Sequence, residues 1–257
     1  EIALSGFHSK AGWLFFCGIA LSLIACVQRF AWFARERTRV SVATPTWNPA
    51  ATYLAPLLTL IATSLLTGLF STGFDRFYGV RIATTLAACC AYRKQLPRLS
   101  WPPSWHAPAI GLAVFGVWLW LVPRPEAAHI SQLRAEISAL GQPWSTLWLA
   151  LRALGSATAI PIAEELAFRG FLLRRLIAAD FSSVERTRLT PWALIGSSLA
   201  FAVLHPGAWL AAGVAGIAYA WAQRARGRTS DAIVAHAITN GCIALAVLCT
   251  DAYWLWV

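Results

Sequence analysis

The chain has no methionine and little charge: Asp, Glu, Lys and Arg together make up 12% of its 257 residues, against 58% hydrophobic. A soluble domain carries about 25% charged and about 45–50% apolar residues, so a globule of this length cannot hide that much apolar surface. The same numbers exclude a disordered chain and a disulfide scaffold. Acidic residues are the scarcer sign, 11 against 21 basic, for a formal net charge of +10. In a soluble protein that excess points to nucleic acid. Here the arginines stand in short loops beside apolar runs, where they set membrane topology, and no nucleic-acid partner is expected. Cys17, Cys26, Cys89, Cys90, Cys242 and Cys249 all lie in apolar runs and none forms a C-x-x-C pair. They read as small buried thiols, not as a zinc ribbon or a redox motif. Three further motifs are missing. Without G-x-S-x-G there is no serine elbow, without H-E-x-x-H no zincin helix, and without G-x-x-x-x-G-K-[ST] no P-loop pump.

Long apolar runs are present instead, at about 12–33, 51–74, 77–92, 107–123, 144–163, 191–205, 208–223 and 230–249. None shows the period-2 alternation of a barrel strand. A span needs ~20 residues, so the expected fold is an all-α membrane protein, a polytopic bundle of about eight transmembrane helices. It divides into residues 1–143, with about four spans and an amphipathic connection, and 144–257, a helical core, within one integral membrane domain.

The loops give an orientation independent of the runs. Arg29, Arg35, Arg37 and Arg39 follow the first run, and Arg93, Lys94 and Arg98 the third. Arg169, Arg174, Arg175, Arg186 and Arg188 follow the fifth, and Arg224, Arg226 and Arg228 the seventh. The loops between are nearly neutral, so the basic ones are cytoplasmic and both termini face outside. Trp47, Trp101, Trp105, Trp144, Trp192 and Trp209 lie near run ends as an aromatic belt. Pro102 and Pro103 mark a stiff loop. Residues 124–143, with Ile130, Leu133, Ile137 and Leu140, and residues 170–181 are candidate amphipathic surface helices. The stretch 12–27 suits a signal h-region, but no small-residue cleavage site follows, so it reads as a span. The chain begins at Glu1, not at Met, and reads either as cut from a longer protein or as lacking its start.

Ionisable groups inside apolar spans are costly and mark functional sites by default. Glu164 and Glu165 follow the apolar SATAIPIA, with Arg169 four residues beyond Glu165. On a helix Glu165 and Arg169 pair in the favoured order, while Glu164 points elsewhere and is free to act as a base. The bland reading is an ion-paired cap at a span end. His205 ends the run LIGSSLAFAVLHPG, one turn after Phe201. Alone it reads more readily as a structural hydrogen-bond partner than as a functional group, although Pro206 and Gly207 break the helix there and leave the imidazole free to face a cavity. His236 and Asn240 are spaced to share one helix face. They read either as two donors for an oxyanion or as polar glue between helices. Together, a carboxylate, a histidine and a His/Asn donor pair make a hydrolytic set.

At these residues the sequence resembles the CAAX-protease and bacteriocin-processing family, also called CPBP or abortive infection, which includes the type II CAAX prenyl endopeptidases. The family pattern EExxxR, FxxxH, HxxxN reads here as Glu164, Glu165 and Arg169, then Phe201 and His205, then His236 and Asn240, across about residues 160–241. The segments RGRTSDAIVAHAITN and YGVRIATTLAACCAYRKQLPRLSWPPSW also look like the family members that accompany exosortases in bacteria. The resemblance implies an intramembrane glutamate endopeptidase of the bacterial inner membrane, acting on a membrane-associated protein or peptide beside an exosortase system. By the same resemblance Glu164 with His205 activates water, His236 and Asn240 stabilise the oxyanion, and Glu165 and Arg169 orient the helix and tune Glu164. No cofactor is expected. The alternative is zinc on Glu164, His205 and His236. A non-enzymatic scaffold or immunity protein on the same fold is the competing function, and a transporter is disfavoured because no inverted repeat is visible. One tension stands: Glu164 falls near the cytoplasmic end of the fifth run, whereas His205 lies ~21 Å into the sixth at 1.5 Å per residue. A kink at Pro161 that turns 162–178 back into the bilayer, or a tilted sixth span, is expected to reconcile them.

Overall fold

The computed structural model describes residues 48–71, 73–95, 101 and 104–257. The first run with its arginine loop, Cys17, Cys26, Trp47, Arg98, Pro102 and Pro103 lie outside the described residues. All regular structure among the described residues is helical. In chain order the main helices are α1 (Pro49–Gly68), α2 (Tyr78–Ala91), α3 (His106–Leu121), α4 (Ala127–Ala139), α5 (Trp144–Ala157), α6 (Ala159–Glu165), α7 (Pro191–Val203), α8 (Trp209–Arg226) and α9 (Thr229–Thr250). A π-helical segment, Leu166–Leu172, and a last α-helical turn, Leu173–Arg175, continue α6 without a loop.

Local chemistry sets these ends. Asn48 caps α1, its Oδ1 accepting from the Ala50 amide at 3.0 Å, with Pro49 in the first turn where its missing N–H is harmless. Thr190 and Pro191 repeat the device at α7, Thr190 Oγ1 accepting from Ala193 N at 3.3 Å. Gly227, at φ 67°, closes α8 in the left-handed conformation that a side chain resists.

Three helical stretches are long and apolar enough to cross a membrane: Pro49–Gly68, Trp144–Arg175 and Thr229–Thr250. Tyr78–Ala91, His106–Leu121 and Pro191–Val203 are apolar but shorter. Large apolar side chains face outward, Trp120 at 82% and Trp192 at 83% exposure among them, as befits a surface solvated by lipid. The protein is an all-α membrane protein.

α9 is the axis of the bundle, with α3, α5, α6 and α8 packed around it. Its neighbours approach through small residues. Ala107, Ala163, Ala212, Ala215, Ala232 and Ala235 are buried in the central core, and Phe168, Phe201 and Tyr219 fill the space between them. Lipid offers no hydrophobic drive for helices to associate, so close van der Waals contact of this kind holds the bundle together. Gly111 marks the tightest point: a Cβ built there lies 2.4 Å from the Ala235 carbonyl oxygen.

The fifth run departs from expectation. Its helix breaks at Thr158 (φ −128°, ψ −74°), three residues before Pro161, and then runs on to Arg175. Glu164 is therefore interior to a 32-residue helical stretch, not near its end. Residues 170–175 belong to this same stretch, which corrects their reading as part of a separate amphipathic helix over 170–181. The reason is that Glu165, Arg169 and Arg174 find partners inside the protein. Arg169 is fully buried, and Arg174 donates to the carbonyls of Gly170, Ser182 and Val184 at 3.0, 3.2 and 3.0 Å.

Candidate active site

A cavity of about 290 Å³ opens between α5, α6, α7, α8 and α9, and its walls include Glu164, Phe201, His205, His236 and Asn240. The longer helix removes the tension over Glu164 and His205, since both face this one space. Arg152, Ser156, Trp118, Tyr219 and Trp256 complete much of the lining.

The carboxylates of Glu164 and Glu165 go to different places. Glu165 is wholly buried and paired with Arg169, Nε to Oε2 at 3.1 Å and Nη1 to Oε1 at 3.2 Å. Arg169 Nη2 also donates to the Gly216 carbonyl on α8 at 2.8 Å, and its guanidinium lies 4.6 Å from the centre of the Phe201 ring. Gln223 Nε2 reaches back from α8 to the Arg169 carbonyl at 3.3 Å, and Thr229 donates to Gln223 Oε1 at 2.9 Å. A π turn displaces the helical bonding register, and such turns recur at functional sites. This one holds Arg169 against α8.

Glu165 also holds His236, with Nδ1 and Oε1 at 2.9 Å. A carboxylate only accepts, so the Nδ1 proton belongs to this bond and fixes the ring. Tyr219 stacks flat on the imidazole, centroids 4.7 Å apart at 16°, and Phe201 meets its edge at 5.7 Å. Nε2 is left facing Glu164, whose Oε2 lies 3.8 Å away. Glu164 Oε2 is buried and has no hydrogen-bond partner among the described residues.

His205 is turned by its own helix: Nδ1 sits 3.1 Å from the Phe201 carbonyl, and the ring leans on Phe201 at 4.8 Å and on Trp118 at 6.0 Å. Asn240 Nδ2 donates to the Ser156 carbonyl at 2.8 Å, two residues before the break in the α5–α6 stretch. An amide carries two N–H donors, so one remains for the cavity. Among the described residues no three His, Cys, Asp or Glu side chains are grouped to hold a metal ion.

The structure thus gathers Glu164, Phe201, His205, His236 and Asn240 around one cavity, with Glu165 and Arg169 directly behind. Reading the sequence missed three features. Glu165 grips His236, whereas the sequence reading had it tuning Glu164. Tyr219 stacks on the same ring; a tyrosine inside the apolar run of α8 was the one available hint. The Ser156 carbonyl, which aims Asn240, left no signal, because a backbone group has none in sequence.

Residues 145–242 match the family model described as Type II CAAX prenyl endopeptidase Rce1-like. No curated protein and no solved structure matches the chain. The matched stretch runs from α5 into α9 and takes in the whole polar set of the cavity. Over those residues the chain is similar to the Rce1-like type II CAAX prenyl endopeptidases.

Proposed function

We propose that the protein is an intramembrane endopeptidase that hydrolyses a peptide bond of a membrane-associated protein or peptide, with Glu164 as the base. The observation that carries this is that Glu164, whose Oε2 is buried without a hydrogen-bond partner among the described residues, lines a cavity shared with His205 and His236. A buried carboxylate oxygen left unsatisfied is expensive, and a water between Glu164 and His205 satisfies it. That water attacks the carbonyl carbon while its proton passes to Glu164, and the same proton is later delivered to the leaving amine nitrogen.

The oxyanion meets Asn240 and His236. Asn240, aimed by Ser156, offers its second N–H. Because His236 gives its Nδ1 proton to Glu165, it donates from Nε2 only as imidazolium, with Glu165 and Glu164 as the surrounding counter-charges. Removing one preorganised donor of this kind lowers kcat by about 10²–10³-fold. Arg169 and Glu165 thus act through His236.

The alternating basic loops support a bacterial inner-membrane orientation with both termini outside, so substrate enters a site within the bilayer. The reading is metal-free. Zinc on Glu164, His205 and His236 is the alternative.

The test is cleavage of a quenched peptide library by detergent-purified protein, with Glu164→Ala and His205→Ala as folded controls, with and without a chelator. Loss of about 10²–10⁴-fold in each variant, unaffected by chelation, is the expected result. Full activity in either variant overturns the assignment. Loss on chelation, restored by zinc, moves the three side chains to ligand roles.

A further inference from the structure

Buried or half-buried arginines in the described spans have their counter-groups, with one exception. Arg81 pairs with Asp75, Arg169 with Glu165, and Arg174 with three carbonyls. Arg152, in the middle of α5, has no carboxylate within ion-pair distance among the described residues, and its Nε is buried without a hydrogen bond. Its guanidinium instead lies over two ring faces, 4.8 Å from the centre of Tyr78 and 5.6 Å from that of Trp256. Ring faces attract a cation but do not neutralise it. An intramembrane cation facing a cavity is costly until an anion completes it. The cavity it faces is the one that holds Glu164.

We propose that Arg152 is a specificity-determining residue that binds a carboxylate of the substrate peptide, terminal or side-chain. This rests on the endopeptidase reading for what the bound peptide undergoes, but the binding itself does not. A guanidinium is suited to the task, since its fork matches a carboxylate bidentately and the Tyr78 and Trp256 rings hold its plane. Arg152, Ser156, Ile160 and Glu164 recur every four residues and all line the cavity. Arg152 and Glu164 are therefore at most ~18 Å apart at a rise of 1.5 Å per residue, and closer where the helix breaks at Thr158. An extended peptide advances about 3.3–3.6 Å per residue, so the bound carboxylate lies at most about five residues from the scissile bond.

Binding without turnover tests this. Detergent-purified Glu164→Gln protein is immobilised and offered three pools of ten-residue peptides: acid-ended, amide-ended without Asp or Glu, and amide-ended with one Glu. At least one carboxylate-bearing pool is expected to be retained about tenfold over the pool lacking carboxylates. Which pool it is separates a terminal from a side-chain carboxylate. The preference disappears when Arg152→Gln is added and persists in part with Arg152→Lys. A purely structural arginine leaves the ratio between pools unchanged, whatever its effect on overall retention. Equal retention of all pools, retention of none, or a preference that survives Arg152→Gln overturns the proposal. Selective retention by a protein whose Glu164 form cleaves nothing sinks the hydrolysis and leaves the carboxylate site standing. Cleavage without selective retention does the reverse.

Discussion

Gly111→Ala places a methyl group where the bundle has no room for it. The added Cβ lies 2.4 Å from the Ala235 carbonyl oxygen, 2.8 Å from Ile238 Cβ and 3.0 Å from Ile238 Cγ2, all on α9. The first of these is backbone, so no rotamer change relieves it. Ordinary contact begins at 3.4 Å, so α9 must withdraw from α3 by about 1 Å in a close-packed interior. That withdrawal also strains the bond from Thr239 Oγ1 to the Gly111 carbonyl, 2.9 Å long. Overpacking of this kind costs about 1–3 kcal/mol. At about 2–4 °C per kcal/mol for a chain of this size, the unfolding midpoint falls by about 2–12 °C. The second consequence is at the site. α9 carries His236 and Asn240, whose bonds to Glu165 and Ser156 are 2.9 and 2.8 Å. A misplacement of ~1 Å in a catalytic group lowers turnover by about 10²-fold. The assay is the thermal midpoint in detergent together with the cleavage rate on a selected peptide. Gly116→Ala is the control on the same helix, since its Cβ meets nothing within 4 Å. It is expected to be neutral or to stabilise by up to ~1 kcal/mol through helix propensity. A Gly111→Ala protein with unchanged midpoint and rate refutes the reasoning, as does equal damage from Gly116→Ala.

Asn240→Asp turns a donor into an acceptor facing the Ser156 carbonyl, so cleavage is expected to fall by at least about 10²-fold, measured as kcat on the same peptide. Glu165→Gln leaves Arg169 buried without its counter-charge, a loss of about 3–5 kcal/mol read as a lower unfolding midpoint. Adding Arg169→Met is expected to recover part of that loss, because it removes the stranded charge, and no recovery contradicts the pairing. Arg174→Ala strips the bonds to Gly170, Ser182 and Val184, each worth about 1.5–3 kcal/mol as a hydrogen bond to a charged group. Limited trypsin digestion in detergent is then expected to cut at Arg186 or Arg188 sooner than in the unaltered protein, and an unchanged rate of cutting shows that Arg174 does not pin the loop.

The part of the fold that hydropathy reports was legible in the sequence. Each apolar run from the second to the eighth holds a helix, because an apolar stretch in lipid must satisfy its backbone N–H and C=O groups within itself. The polar residues that meet at the cavity were legible as residues out of place in apolar surroundings. What failed was the end of the fifth run, and it failed for a physical reason. A hydropathy reading treats each side chain as moving alone from water to lipid, so Glu164, Glu165, Arg169, Arg174 and Arg175 read as a stop. The fold moves most of them in partnered form: Glu165 with Arg169 and His236, Arg169 with the Gly216 carbonyl, Arg174 with three carbonyls. A paired group pays only part of the burial penalty of a lone one. Each partner lies far away in sequence or belongs to the backbone, so nothing local announces it. By the same logic the atoms of cavity-lining side chains that are buried without a hydrogen bond among the described residues, Glu164 Oε2 and Arg152 Nε, are the informative ones. Both line one cavity, and on the proposed reading what completes them comes from outside the chain: a water for the carboxylate, and an anion for the guanidinium.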